Sequence, residues 1–117
     1  MTTEVTQAPA ENGVSVQRQN YFRALSLAEQ ILSETAKLPT NFDVIVHPWT
    51  PDAPVLRFYF HMDVPGLRQF RDDQMLTETR EDRADSVYIE ATRDNVDGVR
   101  VVAWTLLTAD GNAAVSA

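Results

Sequence analysis

The sequence contains no cysteine. This absence excludes disulfides, zinc sites with thiolate ligands and catalysis by a thiol nucleophile, and it is typical of a reducing compartment. Glycine is also scarce, and the four glycines, at positions 13, 66, 98 and 111, form no phosphate-binding loop. A Gly-x-Ser-x-Gly motif of a serine hydrolase is missing as well. We therefore expect a protein that is not an enzyme and that uses no cofactor.

Long apolar runs are missing too. No stretch approaches the ~18 apolar residues that a membrane span needs, and the first eleven residues lack the basic and apolar regions of a secretory signal. The net charge of -7 disfavours contact with the phosphate backbone of nucleic acids. We expect a cytoplasmic protein that binds neither membranes nor nucleic acid directly.

Two β-rich runs towards the carboxyl end form the segment that organises the chain. Residues 84–93 and 99–107 flank a turn cluster at 94–98, which is typical of a β-hairpin. The second run is the most apolar in the chain and is rich in β-branched and aromatic residues. We predict that it forms the central strand of a sheet.

The amino-terminal half predicts one long helix. The 117 residues of the whole chain suit a single domain, which we place at 15–108 between a disordered tail at 1–14 and a flexible tail at 109–117. The helix is expected over 16–38, ending before Pro39. An apolar stripe with helical spacing predicts its buried face: Tyr21, Leu25, Ala28, Leu32 and Ala36. Phe22 and Ile31 widen this stripe. The stripe could instead bind a partner, but packing into the core is the simpler interpretation.

The remaining segments complete the predicted fold. Strands are expected at 42–47 and 55–62, joined by a loop with three prolines, and a short helix should begin near Asp63. The charged segment 77–83 reads as a solvated loop. The resulting order, α-β-β-α-β-β, predicts an α+β fold: a two-layer sandwich with a four-stranded, mostly antiparallel sheet and two helices on one face.

The titratable residues indicate neither a catalytic centre nor a metal site. His47 and His61 should lie at opposite ends of the first hairpin, ~20 Å apart at the rise of a strand, which is too far to share a metal ion. The many carboxylates match no EF-hand spacing. We expect no metal and no catalytic residue.

Exposed aromatic residues suggest binding instead. Trp49 lies in the proline-rich loop, and alternation along the strands places Tyr59 with Arg57 and His61, and Tyr88 with Glu90. Trp, Tyr and Arg are enriched at binding hot spots. The candidate binding residues are therefore Trp49, Arg57, Tyr59, His61 and Tyr88. They predict a protein-interaction module whose partner is another protein, or a second copy bound through the open sheet face.

Two alternatives remain open. An acidic protein can imitate the phosphate surface of DNA and inhibit a DNA-binding protein, although arginines interrupt the acidic residues here. A small ligand could also bind between the helices and the sheet, where strand 55–62 is rich in aromatic residues.

Four segments together resemble a group of known proteins. They are 27–32 with Leu38 and Pro39, 44–47, 63–70 and 99–107. Their order over residues 20–107 resembles small α+β proteins of unassigned function from actinobacteria, their phages and integrative elements. The resemblance implies a cytoplasmic accessory protein that modulates a host factor, and it transfers no catalytic residue.

Overall fold

The computed structural model describes residues 9–108. That range forms two helices and five strands. In chain order they are α1 (Pro9–Glu34), β1 (Asn41–Ile45), β2 (Val55–Tyr59), α2 (Val64–Gln74), β3 (Thr77–Asp82), β4 (Ser86–Val96) and β5 (Val99–Thr108). The tails predicted at 1–8 and 109–117 lie outside the described residues, whereas residues 9–14, predicted to belong to the first tail, are part of α1.

All five strands form one sheet, in the order β1-β2-β5-β4-β3. β5 lies at its centre, which confirms the predicted central strand. The prediction of a four-stranded, mostly antiparallel sheet is wrong, because the sheet has a fifth strand and is mixed: β2 pairs with β5 in parallel, and the other neighbours pair antiparallel. The parallel pair joins strands that α2, β3 and β4 separate in the chain. No pattern within a short segment of the sequence therefore predicts this pairing.

The additional strand is β3, which the sequence analysis treats as a solvated loop. Its residues pair with β4 from Thr77 opposite Thr92 to Asp82 opposite Val87. β3 is an edge strand with polar side chains on both faces, so it lacks the apolar alternation of a half-buried strand. Charge of this kind protects a sheet edge from pairing with other chains. The element order is therefore α-β-β-α-β-β-β.

The β4–β5 connection is tighter than the predicted turn at 94–98. Val96 pairs with Val99, so only Asp97 and Gly98 form the loop. Both have positive φ, 51° and 83°, as the type I′ hairpin requires, and Asp-Gly is a preferred sequence for it. The Gly98 N–H donates to the Asn95 side-chain oxygen at 3.1 Å, which fixes the approach to the turn.

The buried face of α1 overlaps the predicted one at Ala28 and Ile31, which are buried as predicted, but its centre is displaced. The helix also ends at Glu34 rather than at residue 38. Tyr21 and Leu25 are exposed, and Leu32 is only partly buried. The buried stripe is the predicted one moved back by one residue, which rotates it by about 100°. Its members are Asn20, Ala24, Leu27, Ala28 and Ile31. Both stripes have helical spacing, and contact with the sheet selects between them.

Both helices pack on one face of the sheet. Residues of α1 and α2, including Leu27 and Phe70, form one buried cluster with Phe58 of β2 and Ala103 of β5. α2 begins as predicted, because the Asp63 carboxylate caps it by accepting a hydrogen bond from the Gly66 N–H at 2.9 Å. Neither α1 nor α2 lies on the other face of the sheet.

Ion pairs attach the edge strand β3 to α2. The Glu78 carboxylate accepts hydrogen bonds from Arg68 at 3.0 Å and from Arg71 at 2.7 Å. The hydrogen bond from Arg68, with the contacts from Arg71, holds the pKa of Glu78 below its ordinary value of 4.5. Glu78 is the most buried residue of β3, so this pair of bonds places the strand under α2.

Replacement of Glu78 by Gln should make the free energy of unfolding less dependent on pH in the acidic range. Because the pKa of Glu78 is lower in the folded state, its contribution is present above pH 4.5 and is lost as the pH falls below that value. We expect the free energy of unfolding of E78Q, measured by urea denaturation, to be about 1 kcal/mol lower than that of wild type at pH 7. This difference should shrink as the pH is lowered.

The matched control is E81Q on the same strand. Glu81 pairs with Arg83 at the exposed surface, so its loss should change stability little at any pH. An equal effect of both substitutions would contradict the role given to Glu78.

A second prediction concerns Thr105, which is fully buried on the helix-covered face of β5. Its hydroxyl has no hydrogen-bond partner among the described residues. Thr105→Val keeps the shape and removes the unpaired polar group, so we expect stability to rise by about 1 kcal/mol in thermal or urea denaturation. Thr105→Ser keeps the hydroxyl and loses a methyl group, so it should lower stability. A destabilised valine variant would show that the hydroxyl is satisfied.

Candidate functional site

The sheet face that carries no helix holds a group of aromatic and charged side chains. β2 contributes Arg57 and Tyr59, β5 contributes Trp104, and β4 contributes Tyr88 and Glu90. Trp104 lies opposite Tyr59 in the parallel pair and opposite Glu90 in the antiparallel pair. We call these five residues the aromatic face. Its centre is the indole of Trp104.

Aromatic and cationic groups surround Trp104. The Tyr59 ring lies 4.5 Å from the indole between centroids, and the Tyr88 ring lies 6.1 Å away. The Arg57 guanidinium lies over the indole with its central carbon 4.8 Å from the ring centroid, which is a cation–π contact. All these side chains are partly exposed. The indole N–H of Trp104 is buried and has no acceptor among the described residues.

The Tyr88 end of the aromatic face is held by hydrogen bonds and charge. The Tyr88 hydroxyl donates to the Glu90 carboxylate at 2.9 Å. Burial, followed by this hydrogen bond, raises the pKa of Tyr88 above its ordinary value, so the phenol keeps its proton and this hydrogen bond further into the alkaline range. The Arg83 guanidinium lies over the Tyr88 ring at 5.1 Å and pairs with Glu81.

His61 continues the aromatic face at the end of β2. The Tyr59 hydroxyl and His61 Nδ1 lie 2.7 Å apart, within hydrogen-bond distance, and the two rings meet edge to face with centroids 5.8 Å apart. The backbone N–H of His61 donates to the Thr40 hydroxyl at 3.0 Å. The structure therefore brings four of the five predicted residues together: Arg57, Tyr59, His61 and Tyr88.

Trp49 lies apart from this group. It is 75% exposed in the loop between β1 and β2 and stacks on His47, with the ring centroids 4.5 Å apart. This loop is at the opposite end of β2 from His61, so the two histidines do not form one site. The loop instead contacts α1, where the side-chain amides of Gln17 and Asn20 donate to its backbone carbonyls.

Trp104 is the residue that sequence reasoning missed. The alternation along β5 places Val102, Trp104 and Leu106 on one face and Val101, Ala103 and Thr105 on the other. Both sets are apolar, so the pattern does not reveal which face the helices cover. The position of Tyr59 and Glu90 beside Trp104 depends on strand pairing over long distances in the sequence.

Further features of the described residues concern the predictions about metal ions, membranes, DNA imitation and small ligands. Among the described residues, no group of three or more His, Asp or Glu side chains is placed to hold a metal ion. No helix in the described range is long and apolar enough to cross a membrane. The acidic residues of β3 pair with arginines, as in Arg80 with Asp82, which weakens a DNA-like surface. The small-ligand alternative concerns a groove of about 260 Å³ between α1, α2 and the β4–β5 turn. Both Asp73 and Arg93 line this groove.

The contact between Arg57 and Trp104 can be tested by fluorescence. The chain has two tryptophans, so Trp49→Phe leaves Trp104 as the only indole. Because Arg57 covers that ring, we expect Arg57→Ala in this background to increase the quenching of Trp104 by acrylamide. Arg80→Ala, on the edge strand, should leave the quenching unchanged. Equal quenching in all variants would show that Arg57 does not cover the indole in solution.

Comparisons of the chain with protein-family models, with curated proteins and with solved structures found no match. A function for the chain must therefore be inferred from the geometry and charge of its own surface.

Proposed function

We propose that this chain is a non-enzymatic protein-interaction module that binds another protein through its aromatic face. One observation carries the proposal: Tyr59, Trp104 and Tyr88 form a row across three adjacent strands, on the face that neither helix covers. A sheet that faces water on one side normally shows polar side chains there. Aromatic residues at such a position are typical of a surface that a partner covers.

The charges on this face indicate the chemistry of the partner. Arg57 forms a cation–π contact with Trp104 but no ion pair with a described carboxylate, whereas Arg83 is paired with Glu81. A partner segment that presents a carboxylate to Arg57 and an apolar side chain to Trp104 would satisfy both groups. Arginine next to aromatic rings is a common hot-spot arrangement. The proposed partner is therefore a protein with an acidic and apolar docking segment.

The aromatic face is also well ordered for binding. Val102, on the same face of β5 as Trp104, is 3% exposed, and the hydrogen bonds of Tyr59 with His61 and of Tyr88 with Glu90 hold both tyrosines in place. Side chains that are already fixed lose little conformational entropy when a partner binds. This order supports the use of the face for recognition.

The wider role follows from the resemblance to small α+β proteins of actinobacteria, their phages and integrative elements. In that setting the chain would be a cytoplasmic accessory protein, and the protein that it binds would be a host factor whose activity it changes. Imitation of DNA is the less supported alternative, because the ion pairs Arg68–Glu78 and Arg80–Asp82 neutralise much of the acidic surface of β3.

The proposal can be tested with the full chain carrying Trp49→Phe, used to capture proteins from a lysate of the source cells. A captured protein is then purified and titrated against the chain while the emission of Trp104 is recorded. We expect the emission to change on binding, and both Arg57→Glu and Tyr59→Ala to weaken binding by at least about tenfold, as is typical of hot-spot residues.

Arg80→Glu is the matched control, because it makes the same charge change on β3, away from the aromatic face. It should bind like the parent chain. Capture that survives Arg57→Glu and Tyr59→Ala, or an emission of Trp104 that stays constant during binding, would rule out the aromatic face as the binding surface.

A further inference from the structure

A second uncovered surface lies on α1. It contains Tyr21 and Leu25, two residues of the predicted core stripe that are exposed, together with neighbouring residues that follow the helical spacing. Phe22 is 60% exposed, Val14 48% and Leu25 47%. We define the α1 stripe by these six residues: Val14, Arg18, Tyr21, Phe22, Leu25 and Glu29. Just over four turns of helix, from Val14 to Glu29, thus present exposed apolar side chains together with one cation and one anion.

The described residues do not cover this stripe. The core side of α1 is formed by Ala24, Leu27 and Ile31, and Leu27 and Ile31 also line the groove that borders α2 and the β4–β5 turn. The stripe points away from these elements because its residues lie on the other flank of the helix. Only a groove of about 400 Å³ forms there, beside Tyr21 and Phe22.

Four of the six residues of the α1 stripe are placed symmetrically along the helix. Arg18 and Glu29 lie at equal distances from the midpoint between Arg23 and Ala24, and so do Phe22 and Leu25. Arg18 and Glu29 are both exposed, and neither forms an ion pair or a hydrogen bond with a described residue. A helix with this order is complementary to a copy of itself that runs in the opposite direction.

We propose that a second copy of this chain covers the α1 stripe, with the two α1 helices packed antiparallel about a two-fold axis that passes between Phe22 and Leu25. Phe22 of each chain then contacts Leu25 of the other, and Arg18 of each chain pairs with Glu29 of the other. A two-fold interface must be self-complementary in this way, because each contact occurs twice.

This dimer is independent of the proposed function. The aromatic face lies on the side of the sheet opposite α1, so a dimer would present two aromatic faces to partners. The stripe consists of a few partly exposed side chains on one helix, which is less than the ~800 Å² per partner of a standard interface. We therefore expect a reversible dimer whose population rises with protein concentration.

Exchange of the charges tests both the surface and the direction of the helices. The molar mass of the full chain is measured by light scattering and sedimentation equilibrium over a wide range of concentrations. Arg18→Glu and Glu29→Arg should each raise the dissociation constant at least about tenfold, because each creates two like-charged contacts. The double variant, with the charges exchanged, should return to the wild-type value.

Arg23→Glu is the matched control on the same helix. Arg23 lies against Gly98 at the β4–β5 turn, on the flank that faces away from the stripe, so this variant should dimerise like wild type. Phe22→Ser and Leu25→Ser should yield monomers that keep the wild-type circular dichroism spectrum, because both side chains are exposed in the isolated chain.

Several results would overturn the proposal. They are a wild-type chain that stays monomeric at every concentration, a dimer that survives Phe22→Ser and Leu25→Ser, and a double charge variant that remains as weak as the single ones. A dimer that is lost with Tyr59→Ala would place the contact on the aromatic face instead. If the wild-type chain dimerises but captures no partner protein from the lysate, only the proposed function is rejected.

Discussion

The central position of β5 is the constraint on which the rest of the structure depends. β5 is apolar on both faces, and it pairs with β2 on one side and β4 on the other. Its Ala103 and Val101 face the helices and take part in the buried cluster. Its Trp104 faces the other way. Because two helices cover only one side of a sheet, the apolar character of the second side remains at the surface.

Side-chain contacts on that second side offset part of the cost of exposing it. Arg57 covers the Trp104 indole, and Arg83 lies over Tyr88, so each ring is shielded by the aliphatic part and the charge of an arginine. The long arginine side chain can bury its stem along a ring while its charge stays in water. The face is therefore compatible with a free protein, and the arginines can turn away without unfolding the sheet.

Local patterns in the sequence predicted those elements whose form is decided by near neighbours. The Asp63 cap, the β4–β5 turn with Gly98 and the apolar run of β5 all fall in this class. β3 could not be recognised, because an edge strand held by Glu78 and charged pairs needs no apolar alternation. The covered face of α1 was predicted one residue out of place, because the helix carries two apolar stripes and only the sheet distinguishes them.

The candidate site was likewise predicted where near neighbours in the sequence decide it, and missed where distant strands meet. Alternation within β2 and within β4 was enough to place Tyr59 with Arg57 and Tyr88 with Glu90. The sequence could not show that both pairs flank Trp104, because the parallel register of β2 with β5 depends on the whole fold. Trp49, which looked similar as an isolated residue, lies on a separate loop and stacks on His47.

The order of the strands also has a consequence for synthesis of the protein. β5 follows both of its neighbours in the chain, yet it lies between them in the sheet. Until the ribosome has released β5, the β1–β2 hairpin and the β3–β4 pair have no strand to join them, and their inner edges are unpaired. Contacts between distant segments form slowly compared with hairpins and helices. The nascent chain therefore exposes two open sheet edges for a time, and β5 closes both at once.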